Sequence, residues 1–115
     1  MAEKESILIK EDEDTIIKNQ MEKMVHSYDR YMKRITLGRE DALRRMTVNL
    51  AGVKPGDCVL EIGCATGSLS LAAKRQAGPT GKVVGIDIIP GMIDVSRNKA
   101  SQAGLDVTFQ LSNIE

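Results

Sequence analysis

Apolar and polar residues follow several distinct rhythms along this chain, and each rhythm predicts an element. Ile17, Met21, Met24, Tyr28, Tyr31 and Met32, with Ile16 and Ile35 beside them, recur at spacings of three and four. That period describes one stripe of an amphipathic helix from about Thr15 to Lys33, and such a stripe must cover something. Thr36-Leu37-Gly38 interrupts it, and Leu43, Met46 and Leu50 mark a second helix that stops near Ala51-Gly52. Lys54-Pro55-Gly56-Asp57 reads as a turn. Cys58, Val59, Leu60 and Ile62 then form an apolar run broken only by Glu61, the pattern of a parallel strand buried on both faces.

The same alternation of strand and helix continues to the end of the chain. Ser68, Leu69, Leu71, Ala72 and Ala73 have helical spacing after Gly67, and Gly78-Pro79 ends that helix, because glycine takes the C-terminal cap and proline cannot continue. Lys82 to Asp87 is a second buried strand. Pro90 suits the first turn of a further helix, in which Met92, Ile93, Ser96, Ala100 and Ala103 form the inward stripe and which Gly104 closes. Val107, Phe109 and Leu111 alternate with Thr108 and Gln110, as an edge strand would. Strands alternating with helices predict an α/β unit with a parallel sheet. The expected organisation is an acidic flexible arm over 1–14, a helical cap over 15–52 and a strand–helix unit over 53–115.

Composition narrows the possible partners. A chain of 115 residues, 42% apolar and 28% charged, suits at most one globular domain. The 16 basic and 16 acidic residues cancel, so no global field draws in nucleic acid or an anionic membrane. Arg30, Lys33, Arg34, Arg39, Arg44 and Arg45 are locally basic, but one Phe, two Tyr and no Trp leave little for base stacking, and the expected reading is a solvated helix face. Glu11-Asp12-Glu13-Asp14 is too charged to pack. Cys58 and Cys64 stand at opposite ends of one strand, too far apart to be bridged, so both should be free thiols. No metal-type spacing occurs around them or around His26, the one histidine. An acidic start and no long apolar run predict a cytoplasmic protein.

The chemistry concentrates at Glu61-Ile62-Gly63-Cys64-Ala65-Thr66-Gly67, where a strand turns through glycines into a helix. A dinucleotide fingerprint starting at Gly63 needs glycine at positions 65 and 68, which hold Ala65 and Ser68, and a phosphate loop of the Walker type needs a lysine that the stretch lacks. A carboxylate beside a close-approach loop suits a cationic ligand better than a pyrophosphate. Asp87 lies 20 residues beyond Gly67, near the offset at which a doubly wound unit places the acid that binds a ribose. Two carboxylates are thus expected at the ends of neighbouring strands.

This acidic-x-Gly-x-small-x-Gly loop resembles the first motif of the class I S-adenosylmethionine-dependent methyltransferases. The resemblance extends through Tyr28-Asp29, Lys54-Pro55-Gly56-Asp57, Gly85-Ile86-Asp87-Ile88, Gly91-Met92-Ile93 and Ser112-Asn113-Ile114-Glu115, and it is nearest the ubiquinone and menaquinone biosynthesis type. It implies a Rossmann-like three-layer unit with strand order 3-2-1 preceded by two helices, half of a seven-stranded domain. It also implies that Gly63, Ala65 and Gly67 hold the methionine end of S-adenosylmethionine, with Glu61 near its ammonium. Asp87 would accept from the ribose hydroxyls, Ile88 and Met92 would flank the adenine, and Asn113 stands where an aspartate usually accepts from the adenine amino group. A small-molecule acceptor follows from the same resemblance. With the fourth strand absent, the edge of the first should pair with a second copy in a homodimer or swapped assembly.

His26 and Tyr28 are the candidate bases within the chain, but a surface histidine and a packed tyrosine are the simpler readings, and neither is assigned a catalytic role. Two other function classes compete. One is a non-catalytic Rossmann-like interaction or oligomerisation module, against which two carboxylates at adjacent strand ends argue. The other is a nicotinamide-dependent enzyme, against which the missing glycines argue.

Overall fold

The computed structural model describes residues 15–112. The acidic arm and Asn113 to Glu115 lie outside the described residues. Helix α1 covers residues 15–24 and passes through a 3₁₀ turn, Val25–Ser27, into α2, Tyr28–Ile35. Then follow α3 (Glu40–Leu50), β1 (Cys58–Ile62), α4 (Ser68–Ala77), β2 (Lys82–Asp87), α5 (Pro90–Ala103) and β3 (Thr108–Leu111).

The single helix expected over Thr15 to Lys33 is therefore broken. The Ser27 hydroxyl donates to the Met24 carbonyl, a local bond that competes with the helical ladder. The break turns Val25 inward against Ile89 and Met92. Among the described residues most of the predicted stripe is left uncovered, with Ile16, Ile17, Met21, Met24, Tyr31 and Ile35 exposed. The later boundaries follow local signals closely. Gly78 and Gly104 cap α4 and α5 with positive φ, and Pro90 opens α5.

The three strands pair in parallel in the order β1-β2-β3, which is 3-2-1 counted from the other edge. Glu61 lies opposite Gly85 and Ile62 opposite Ile86, while Asp87 lies opposite Leu111. Val59 and Val83 pack with Val48 and Ala73, and Phe109 packs with Leu71, Ile93 and Ala100. Helices α3, α4 and α5 therefore cover one face of the sheet, as crossovers of one hand require. The buried Lys74 ammonium donates to the Gly81 carbonyl at 2.7 Å and ties α4 to the start of β2.

The other face corrects the expectation of a strand buried on both sides. Cys58, Leu60 and Ile62 alternate outward, with Leu60 60% and Ile62 66% exposed. Both crossover helices lie on the opposite face, and nothing among the described residues forms a second helical layer. Cys58 and Cys64 are free thiols, the first exposed and the second buried. No helix among the described residues is long and apolar enough to cross a membrane.

Candidate functional site

The carboxyl ends of β1 and β2 and the loop between β1 and α4 make the site. The amides of Gly63 and Cys64 both donate to the Ile86 carbonyl, at 2.8 and 2.9 Å, and so dock the loop on the end of β2. Its two glycines have different tasks. At Gly63, φ is +73° and the space that a side chain would fill is open, so a ligand can approach the backbone. At Gly67, φ is +83° and a Cβ would stand 2.7 Å from Phe109 and 2.9 Å from Ser96, so this glycine serves the packing of the loop on α5 and β3. Ala65 between them also has positive φ, at 50°, in a region that disfavours a Cβ.

Asp87 governs the loop from beneath. Its carboxylate accepts from the amides of Ala65 and Ile89, each at 2.9 Å, and the residue is 9% exposed. The Ser96 hydroxyl donates to the Ala65 carbonyl at 2.7 Å. Ala65 is thus held through both its amide and its carbonyl, which sustains its conformation.

Glu61 is placed differently. Burial raises its carboxyl above the usual glutamate range, against the lowering effect of the hydrogen bond that the Ser70 hydroxyl donates at 2.7 Å. Among the described residues no cation lies within salt-bridge distance of it. A partly desolvated carboxylate of this kind gains most from a cationic ligand. It lines a cavity of about 240 Å³ with Tyr28, Met32, Gly63, Cys64 and Ala65. Tyr28 is half-buried there, and burial pushes its phenol up from its ordinary value.

The remaining predicted residues are spread more widely. Ile88 is exposed just beyond β2, whereas Met92 is buried against Val25 and Ile89 and offers a ligand little surface. His26 is exposed in the 3₁₀ turn. Among the described residues no group of three His, Cys, Asp or Glu could hold a metal ion.

Sequence reasoning did not find the residues that join the N-terminal helices to the site. The Thr66 hydroxyl donates to Asp29 at 2.6 Å, and the Lys99 ammonium donates to the other Asp29 oxygen at 2.9 Å and to Ser68. Burial alone would raise the Asp29 carboxyl, but the bonds from Thr66 and Lys99 outweigh it and hold the group below its ordinary value. Glu22 of α1 accepts from the Gly91 amide at 3.1 Å, at the start of α5. The only available signal was the Tyr28-Asp29 pair, since Thr66 and Lys99 lie far along the chain.

Comparison with known proteins fits this geometry. Residues 53–115 match the family described as a methyltransferase domain. A demethylmenaquinone methyltransferase of Symbiobacterium thermophilum is 30% identical over 105 residues, which cover 90% of this chain and 42% of the relative. The ubiquinone/menaquinone biosynthesis C-methyltransferase UbiE of Bdellovibrio bacteriovorus is 33% identical over 99 residues, 86% of this chain and again 42% of the relative. A solved SAM dependent methyltransferase from Aquifex aeolicus superimposes with a TM-score of 0.54 at 25% identity, over 63% of this chain and 38% of that one. The chain therefore spans less than half the length of these relatives. The matched stretch runs from the turn before β1 through the glycine loop and both strand-end carboxylates, and the chain belongs to the class I S-adenosylmethionine-dependent methyltransferases.

Proposed function

We propose that this chain supplies the cofactor-binding wall of a methyltransferase acting on a small, quinone-type acceptor. The observation that carries the reading is Glu61, a partly desolvated carboxylate without a described cationic partner, facing a cavity beside the open backbone of Gly63. The relatives' names supply the acceptor class. S-adenosylmethionine supplies an electrophilic methyl group on a sulfonium when bound. In this chain Glu61 would hold its ammonium, with Gly63 and Ala65 lying along the methionine end and Gly67 setting the loop's height. Asp87 would accept ribose hydroxyls on the lone pairs left beside its two backbone bonds. Ile88 would take one side of the adenine, with Met92 behind it and Asn113 accepting from the amino group. Helices α1 to α3 act as a cap, tied down by Asp29 and Glu22. A cytoplasmic location fits these assignments.

The test is calorimetric titration with S-adenosylhomocysteine, comparing wild type with Glu61→Gln. Asp87→Ala is the poorer choice, because both Asp87 oxygens hold the fold. Saturable binding that weakens about tenfold in the variant supports the reading, since a buried charge pair is worth roughly that much. Absence of binding by folded protein favours a non-catalytic interaction module.

We also propose that two copies pair along the outer edge of β1. Its backbone has a neighbour on one side only among the described residues, and Leu60 and Ile62 are exposed beside it. Light scattering should give a dimer mass that falls to the monomer in Leu60→Lys. A monomer at millimolar concentration, with fast amide exchange along β1, overturns it.

A further inference from the structure

A second and larger cavity, of about 700 Å³, lies among α2, α3, α4 and α5, with Asp29 and Lys99 on its lining. Its character is set by cations from all four helices: Lys33, Arg44, Arg45, Arg75 and Lys99. The basic stretch in the sequence is therefore more than a solvated helix face. Three of its residues converge on the cleft with two cations from distant parts of the chain.

Two of the three carboxylates on the lining are paired with cations, Asp29 with Lys99 at 2.9 Å and Asp41 with Arg44 at 3.2 Å, so the five cations outnumber the three carboxylates even with Glu40 counted. Lys33, Arg45 and Arg75 have no carboxylate of a described residue within salt-bridge distance. Like charges gathered around one concavity repel one another and favour a multivalent anion between them. Arginine's planar fork matches phosphate oxygens in particular. The volume is in the range of a small-molecule site.

We propose that this cleft binds a phosphate-bearing anion of two or more negative charges, held by Arg45 and Arg75 with Lys33 at its rim. The site adjoins the cavity at Glu61, sharing Glu40, Arg44 and Ser68 with it, but Lys33, Arg45 and Arg75 line this cleft alone, and a ligand here would sit against the same Asp29 and Lys99 contact that ties α2 to α5. The chemistry is shared by a free phosphorylated small molecule and by a phospholipid headgroup.

Titration of the isotope-labelled chain with inorganic pyrophosphate, followed by amide shifts at constant ionic strength against sodium chloride, tests this directly. The expected result is saturable shifts clustered on α2, α3 and α4, weakened at least about tenfold by Arg45→Gln with Arg75→Gln. Lys33→Gln should cost less. All three positions are exposed, so far-ultraviolet dichroism should be unchanged, and S-adenosylhomocysteine binding serves as an independent readout of the other cavity. Flotation with phosphatidic acid and phosphatidylcholine vesicles separates the two sources, because phosphatidic acid carries a phosphomonoester that can reach two negative charges. Capture by the phosphatidic acid vesicles alone, competed by pyrophosphate and lost in the double variant, identifies a headgroup. Pyrophosphate binding without capture identifies a free phosphorylated ligand. Shifts that match the chloride control, or that survive in the double variant, overturn the proposal.

Discussion

Asp29 and Thr66 stand 37 positions apart and share a hydrogen bond of 2.6 Å, joining α2 to the loop that turns β1 into α4. Lys99 closes the arrangement from α5, bonding to both residues. One carboxylate thus fixes the N-terminal helices, the loop and the second crossover helix in a common frame.

Removing that carboxylate should loosen the frame without unfolding the sheet. Asp29→Ala is expected to lose about 1 kcal/mol, a charge-assisted bond discounted for its partial exposure. Residues 15–39 should become more susceptible to limited proteolysis. Because folding lowers the Asp29 pKa, its contribution is present above the ordinary carboxylate value of 3.8 and is lost as pH falls through the folded value. Urea titrations at several pH values should show that slope in wild type and a flatter one in Asp29→Asn.

Glu61 should show the opposite sign. Its folded pKa is raised, so its contribution is fully present below the ordinary value of 4.5 and is lost as pH rises through the folded value. Glu61→Gln should remove that loss and be no less stable than wild type at pH 7. A cationic ligand would favour the ionised form, so binding near pH 5 should release protons. Calorimetry in buffers of different ionisation enthalpy measures this.

Neighbouring loop positions should respond oppositely to small substitutions. Ala65→Gly relieves a left-handed alanine and should stabilise by about 0.5–1 kcal/mol. Gly67→Ala introduces both positive-φ strain and a clash with Phe109 and Ser96, and should cost roughly 2–4 kcal/mol. Thermal unfolding of the two variants should move the melting point in opposite directions.

The two thiols should separate in reactivity. Cys64 is buried, and burial, aided by the nearby Asp87 and Glu61 carboxylates, pushes its thiol up to about 11. Cys58 is exposed. Iodoacetamide at pH 8 should modify Cys58 readily and reach Cys64 only on unfolding, which mass spectrometry of timed samples resolves.

Much of the architecture was legible from local pattern. The apolar run before Glu61, the helical spacing after Gly67, and the capping residues Gly78, Pro90 and Gly104 mark boundaries that the structure reproduces. Such signals are readable because side-chain period and backbone conformation are set by nearest neighbours. The break at Val25 to Ser27 was missed because the apolar spacing continues through it.

The sequence by itself determined a strand–loop–helix repeat with Glu61 and Asp87 at the ends of adjacent strands, since strand length and helix caps are encoded within a few residues. Only the tertiary structure decided what those carboxylates do next. It turned Asp87 into the loop's backbone, left Glu61 beside a cavity, and brought Asp29 to Thr66 and five cations to one cleft. It also left Leu60 and Ile62 outward, because both crossovers pass over the same face of the sheet. These outcomes depend on contacts between residues tens of positions apart, where no periodicity along the chain reports which side chains will meet.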